Sequence, residues 1–328
     1  MDVMTPSGSS PSAAGSAPGA EVREPSVPEE IRDDYGVSDG EWLKIDWREK
    51  IQTVDVESSL GRTPISYVTM GEGQPLLLVH GLGGSWRNWL ENIPYLAKRH
   101  KVYAIDLPGF GKSPNPPNEI TIAGFGEAVI AFADRMELGP ETAIIGHSMG
   151  GFISSEAVIN QPERFSSLTL VSAAGITFAD LHRVDKTARE VLLRVGLPIF
   201  NRRVEANLGR KRLRAASFAG VISHPSRISR EILWELAYYG TSAPALLDSA
   251  KALVSYDTRE RLPEIEMPTL IVWGKSDRLV PVGAAYSYHK RIEGSELHII
   301  DDTGHMVQLE RPARFNRTVE AFVNAKND

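Results

Sequence analysis

The sequence predicts an α/β protein with a mostly parallel central sheet flanked by helices. Three observations predict it. Six short, continuous apolar runs recur along the chain: Leu76–Val79, Val102–Ile105, Thr142–Ile145, Leu168–Ser172, Leu270–Trp273 and Leu297–Ile300. Such runs suit strands covered on both faces, as parallel sheets are. Helical patterns lie between them, at 86–98, 121–137, 149–160, 283–292 and 311–325. Strands alternating with helices build βαβ units. One interval, 176–262, breaks the alternation and holds helix-like stretches such as Thr187–Val195 and Ser229–Tyr239. It is too long for a connecting loop, so a helical subdomain over one edge of the sheet is expected.

The elements follow in order. Residues 1–30 contain 18 Pro, Ser, Gly or Ala, and such a segment buries too little apolar surface to offset its ordering entropy. A disordered tail is expected over 1–38, with folded sequence starting near Trp42. A strand pair is expected at Thr53–Val56 and Pro64–Thr69, punctuated by Gly61 and Gly71. The core then spans 39–175 and 263–328, with the helical insertion at 176–262 between its halves.

Bulk properties exclude several classes. The 328 residues are 42% hydrophobic and 24% charged, with net charge −6, which fits a globular chain and argues against a nucleic-acid footprint. The absence of cysteine excludes disulfides, thiolate metal sites and a thiol nucleophile. No run reaches the length of a membrane-spanning helix, and the N-terminus lacks a secretory pattern. A cytoplasmic location is the expectation, and no cofactor or metal is called for.

Gly146-His147-Ser148-Met149-Gly150 follows a predicted strand and opens a predicted helix. This G-x-S-x-G string in a strand–turn–helix context is a nucleophile elbow, with glycines where side chains would collide in the sharp turn. Ser148 is the candidate nucleophile. A serine hydroxyl needs a base, and the base needs an orienting acid. Among eight histidines, His305 sits in a short turn just past the run Leu297–Ile300 and is the candidate base. Asp277, just past Leu270–Trp273, is the candidate acid, with Asp301 and Asp302 as rivals. His147 adjoins the serine and should point elsewhere, and His80 reads as structural. The segment His80-Gly81-Leu82-Gly83-Gly84 follows another strand, and its small residues let backbone approach a substrate. The N–H groups of Leu82 and Met149 are the expected oxyanion donors, with Gly83 as a less favoured alternative to Leu82.

The order Ser148, Asp277, His305 and these motifs resemble the α/β-hydrolase fold superfamily. Asp106-Leu107-Pro108-Gly109-Phe110-Gly111-Lys112-Ser113 is similar to that family's D-x-P-G-x-G-x-S loop, and Gly304-His305 and Glu310-Arg311-Pro312 also match. The resemblance covers roughly residues 60–325. It implies an α/β-hydrolase fold with 176–262 as the cap over the site, and a site-shaping role for the Asp106 loop. Serine rather than aspartate at 148 implies acyl transfer, with esterase- or lipase-like hydrolysis of a small-molecule ester favoured. His147 and Gly83-Gly84-Ser85 stand where relatives that cleave carbon–carbon bonds often carry Asn and Gly-Pro-Gly. A carbon–carbon hydrolase or a cofactor-free perhydrolase stays an alternative, and a hydrolase-fold small-molecule receptor is the non-enzyme reading.

Further candidates carry two readings each. Trp86, Trp234 and Tyr238 are candidate substrate contacts or core packing, and Gly83 is a candidate substrate contact. Arg202, Arg203, Arg210, Lys211, Arg212 and Arg214 form either an anion-attracting face or a solvated helical surface.

Overall fold

The computed structural model describes residues 34–176, 206, 207, 210, 213, 216–240 and 243–325, with the side chains of 238–240 left out. Eight strands form one sheet in the order β1-β2-β4-β3-β5-β6-β7-β8. They are β1 Ile51–Val56, β2 Thr63–Met70, β3 Gln74–Val79, β4 His100–Ile105, β5 Ala143–His147, β6 Ser167–Val171, β7 Thr269–Gly274 and β8 Glu296–Ile300. The pairs β1–β2 and β2–β4 are antiparallel, and every other pair is parallel.

The parallel strands are apolar at most positions because each serves two layers. Leu77, Val79, Ile144, Leu168, Leu170, Ile271 and Trp273 enter one core cluster. Their neighbours Leu76, Leu78, Ala143, Ile145, Val171, Leu270 and Val272 enter the other. The strand period of two sends alternate side chains to opposite faces, so a doubly covered strand has few polar positions. Helices α1 (Ile122–Arg135), α2 (Met149–Asn160) and α5 (Gly283–Arg291) supply Phe125, Phe132, Phe152 and Tyr288 to the first cluster. Helix α6 (Pro312–Ala325) supplies Phe315, Val319 and Phe322 to the second. Between β6 and β7 the described residues include α3 (Arg230–Gly240) and α4 (Leu246–Ser255). The stretch Thr187–Val195 lies outside the described residues.

Two expectations need correction. The pattern at 86–98 is not one helix but a 3₁₀ turn, Trp86–Trp89, and a separate helical turn, Ile93–Leu96. Pro94 lacks an N–H and its ring clashes with a carbonyl four residues back, so the helix must restart there. The tail boundary at 38 is also too late. Asp34 and Tyr35 are buried, and the chain is packed from Asp34 onward.

Register places the strands' carboxyl ends together. Val79 pairs with Gly146, His147 with Val171, Val171 with Val272 and Gly274 with Ile300. The turns after β3, β5, β7 and β8 therefore leave one edge of the sheet. Those turns hold Leu82, Ser148, Asp277 and His305.

One close approach in this frame lies at α2. A Cβ on Gly150 would press on the carbonyl oxygens of Val79 and His80, and one on Gly146 would press on the Gly150 carbonyl. Both obstacles are backbone and cannot yield cheaply. Gly150→Ala is expected to cost about 3 kcal/mol or more, or to prevent folding. Gly283→Ala, with nothing within 4 Å of its added methyl, should stay within roughly 1 kcal/mol of the parent. Urea denaturation of both variants checks the contrast.

Candidate active site

Ser148 stands at the junction of β5 and α2 with φ 55° and ψ −121°, a backbone conformation that a side chain rarely adopts. Hydrogen bonds hold it there. Its N–H donates to the Val171 carbonyl at 2.9 Å, and its carbonyl accepts from Gly151 and Ala174 at 3.0 and 2.9 Å. Met149 is the first residue of α2, so its N–H has no intrahelical acceptor. That N–H sits at the positive end of the helix dipole. The loop after β3 passes close by, with a Cβ on Gly81 falling 2.8 Å from the Ser148 Cβ. Gly83 takes φ 69°, and the Gly84 N–H closes the turn on the Gly81 carbonyl at 3.0 Å.

The structure brings Asp277 and His305 together. His305 Nδ1 lies 2.7 Å from Asp277 Oδ2, and both side chains are buried. The other carboxylate oxygen, Oδ1, accepts the N–H groups of Leu279 and Val280 at 2.9 and 2.8 Å. The Trp273 indole anchors the same turn by donating to the Val280 carbonyl at 2.9 Å. The acid and base loops are laced along their backbones: Lys275 N–H donates to Ile300 and Ser276 N–H to Thr303, both at 2.9 Å. A carboxylate accepting Nδ1–H leaves Nε2 as the free, basic nitrogen.

The rival acids face elsewhere. Asp301 pairs with Lys275 at 2.7 Å and Asp302 with His224 at 2.6 Å, and both carboxylates are more than half exposed. His147 turns away from the serine as expected, its Nε2 lying 3.0 Å from the His305 carbonyl. Its Nδ1 has no hydrogen-bond partner. Burial and the neighbouring His305 hold His147 well below the usual histidine range. His80 Nε2 accepts the Leu107 N–H at 3.0 Å while Nδ1 lies 2.7 Å from the Gly81 carbonyl. Burial pushes it down to about 4, so it stays neutral and clamps two loops together.

Asp106 links the D-x-P-G loop to the oxyanion loop. Its carboxylate accepts the N–H groups of Trp86 and Lys112, each at 2.8 Å. Burial raises its pKa to about 6, with those two N–H bonds opposing the rise. A Cβ on Gly111 would fall onto that carboxylate, which accounts for glycine there.

The remaining candidates resolve unevenly. Trp86 is 1% exposed, stacked near Trp47 and under the Arg87 guanidinium, so it is core packing rather than a pocket wall. Its polar edge was legible in the sequence, but its direction was not. Trp234 is 41% exposed on α3 and faces outward. The side chain of Tyr238 and residues Arg202, Arg203, Lys211, Arg212 and Arg214 lie outside the described residues, and Arg210 is exposed. Two residues absent from the sequence candidates join the site: Tyr35, and Glu310 in a new role. Only a buried aromatic beside an acidic residue could have flagged Tyr35, and composition masks it.

The sequence profile of the alpha/beta hydrolase fold matches residues 74–312. The chain belongs to the alpha/beta hydrolase family. It is 29% identical over 288 residues to the 2-hydroxy-6-oxo-6-(2'-aminophenyl)hexa-2,4-dienoic acid hydrolase of Metapseudomonas resinovorans, covering 85% of this chain and 95% of that one. It is 28% identical over 265 residues to the pimeloyl-[acyl-carrier protein] methyl ester esterase of Aeromonas hydrophila, covering 79% and 99%. A 29% match to a dihydrolipoyllysine-residue acetyltransferase component of Pseudomonas putida covers 76% of this chain but 64% of that relative's length. The fold superposes on a thermophilic esterase from Thermogutta terrifontis with a TM-score of 0.70 at 21% identity, covering 84% and 100%. Among the described residues, no helix of this alpha/beta hydrolase is long and apolar enough to cross a membrane.

The buried titratable groups set an acid limb. His80 has a folded pKa of about 4 against 6.5 unfolded, so the unfolded chain binds the extra proton between those values. Its contribution to stability is therefore lost as pH falls from 6.5 toward 4, and His147 acts in the same direction. Asp106 opposes them, because its folded pKa of about 6 lies above its unfolded 3.8 and the native state gains that proton. These groups together predict falling stability over this window. The His80 shift alone is worth on the order of 3 kcal/mol. Urea midpoints at pH 7 and pH 4.5 should drop accordingly, and His80→Gln should flatten the difference.

Proposed function

We propose that this alpha/beta hydrolase cleaves a carboxylic ester, or a related acyl bond, through an acyl-enzyme on Ser148. The observation that carries the reading is the buried Asp277–His305 pair at 2.7 Å beside a strained serine elbow. His305 Nε2 takes the Ser148 proton as Oγ attacks the substrate carbonyl carbon. The C=O π pair moves onto oxygen, and the N–H groups of Leu82 and Met149 receive that oxyanion. The intermediate collapses, the C–O bond to the alcohol breaks, and the imidazolium protonates the departing alkoxide. Water, deprotonated by His305, then attacks the acyl-enzyme; the C–Oγ bond breaks, the acid leaves, and the imidazolium returns its proton to Ser148 Oγ.

Several features support this reading. Asp277 is the acid whose loop is stitched to the base's loop, while its rivals pair with Lys275 and His224 at the surface. Val221, in the segment between β6 and β7, accepts the His305 N–H at 2.8 Å, which fits a cap lying over the site. The esterase of Aeromonas hydrophila acts on a methyl ester, and its similarity spans 99% of that chain. A second reading is hydrolysis of a carbon–carbon bond in a dienoate, favoured by similarity over 95% of the length of the Metapseudomonas enzyme. His147 at the elbow and Gly83-Gly84-Ser85 in the oxyanion loop favour the ester.

Ser148→Ala is expected to abolish turnover of p-nitrophenyl esters with the protein still folded, and retained activity overturns the nucleophile. Asp277→Asn is expected to lower kcat by about 10²–10⁴, since an amide favours the wrong tautomer and leaves the imidazolium uncompensated. A panel of p-nitrophenyl esters from about two to sixteen carbons, with a meta-cleavage dienoate included, separates the two readings. A kcat/KM for the dienoate above that of every ester selects carbon–carbon hydrolysis. A single stoichiometric burst of p-nitrophenol selects a binding protein instead.

A further inference from the structure

The loop that carries His305 is held by a carboxylate outside the Ser148–Asp277–His305 set. Glu310 is fully buried. Its Oε2 accepts the Gly304 N–H at 2.9 Å and its Oε1 accepts the Met306 N–H at 3.1 Å, so it grips the peptide groups on either side of His305. The same Oε2 accepts the Tyr35 hydroxyl at 2.5 Å and the Ser223 N–H at 2.9 Å. One carboxylate thus joins the base loop, the segment between β6 and β7, and the chain N-terminal to the first strand.

Tyr35 is built into that junction. Its ring lies 4.8 Å from both the Arg227 and the Arg311 guanidinium carbons, and its oxygen accepts the His224 N–H at 2.8 Å. Asp34 beside it pairs with Arg311 and Arg314 at 2.7 and 3.0 Å, and the Gly36 N–H donates to the Glu310 carbonyl at 2.7 Å. Burial and Glu310 raise the phenol's pKa, so it remains a neutral donor. His305 itself is pinned along its main chain: its N–H donates to the Val221 carbonyl at 2.8 Å, and its carbonyl faces His147 Nε2 at 3.0 Å.

We propose that Glu310 is a positioning residue for His305, and that Tyr35 completes it from the N-terminal segment. The proposal rests on the reading of His305 as the base. A glutamine at 310 turns an NH₂ toward the N–H groups it must accept, so the His305 loop relaxes while its contacts to Asp277 remain available. Tyr35→Phe removes one donor to Glu310 and the acceptor for the His224 N–H, leaving the ring packed.

The test uses the full chain and its Glu310→Gln and Tyr35→Phe variants, with p-nitrophenyl butyrate as substrate. Glu310→Gln is expected to lower kcat about 10–100-fold with KM within about twofold, because small displacements of a catalytic group are costly. The pH profile of kcat/KM is recorded for both variants and should differ from the parent's, because His305 takes part in every proton transfer of the proposed reaction. Tyr35→Phe should lower kcat roughly 3–10-fold by the same route. The low-field proton resonance of the His305–Asp277 hydrogen bond is read in parallel and should shift or exchange away. A lowered melting temperature with kcat, pH profile and resonance all unchanged overturns the proposal. If Glu310→Gln does not fold, Tyr35→Phe decides alone. If the parent shows no Ser148-dependent turnover, the reading of Proposed function fails, and the His305 resonance in the variants still decides the positioning role.

Discussion

The architecture of the site depends on one close approach. The first turn of α2 rests on the terminal carbonyls of β3, with Gly150 against Val79 and His80. Nothing larger than glycine fits at this crossing. That contact forces the chain to reverse within two residues, and the reversal drives Ser148 to φ 55°. Strain of this kind costs on the order of 1–3 kcal/mol and persists only where the surroundings over-determine it. Here the surroundings are two backbone hydrogen-bond partners from β6 and the turn after it, Val171 and Ala174. The same crossing brings the Gly81 loop onto the serine, so the candidate nucleophile and oxyanion donors are consequences of one packing event.

The candidate base is placed by a different principle. His305 comes from a loop, and loops are the mobile part of a fold. Its order comes from neighbours on every side. Asp277 holds the ring, Glu310 the flanking peptides, and Val221 and His147 the main chain. Most of these partners are buried, where each hydrogen bond is stronger and each orphan costlier than in water. Both carboxylates, Asp277 and Glu310, have both oxygens engaged, which rigidifies the loops around them.

Charge is arranged to match. Two histidines beside the site, His80 and His147, are kept neutral by burial, so they place no fixed positive charge beside His305. The negative charges near it belong to Asp277 and Glu310, each held by backbone N–H groups. Asp106 anchors the oxyanion side through Trp86 and Lys112. The polar groups thus divide their work between loops: Asp277 and Glu310 hold the His305 loop and the turn beside it, and Asp106 holds the loop after β3.

Much of this was legible in the sequence. The six apolar runs became strands because a strand covered on both faces leaves few polar positions, and period-two alternation into two clusters fits that cause. The elbow was legible because sterics allow only glycine at 146 and 150. Asp277 and His305 were legible because both follow strands whose carboxyl ends share an edge. What one dimension could not supply was direction and long-range contact. Whether Asp277, Asp301 or Asp302 meets His305 depends on which way each carboxylate points. Whether Trp86 lines a pocket or fills a core depends on the rotation of one short turn. The buried partners of Asp34 and Tyr35, which are Arg311, Arg314 and Glu310, lie about 275 residues away in the chain. Local sequence determined strands, turns and the reactive residue types, because sterics and hydrophobic period act over a few residues. Tertiary structure alone decided which charges meet, because a hydrogen bond between distant residues forms only after the sheet has brought them within about 3 Å.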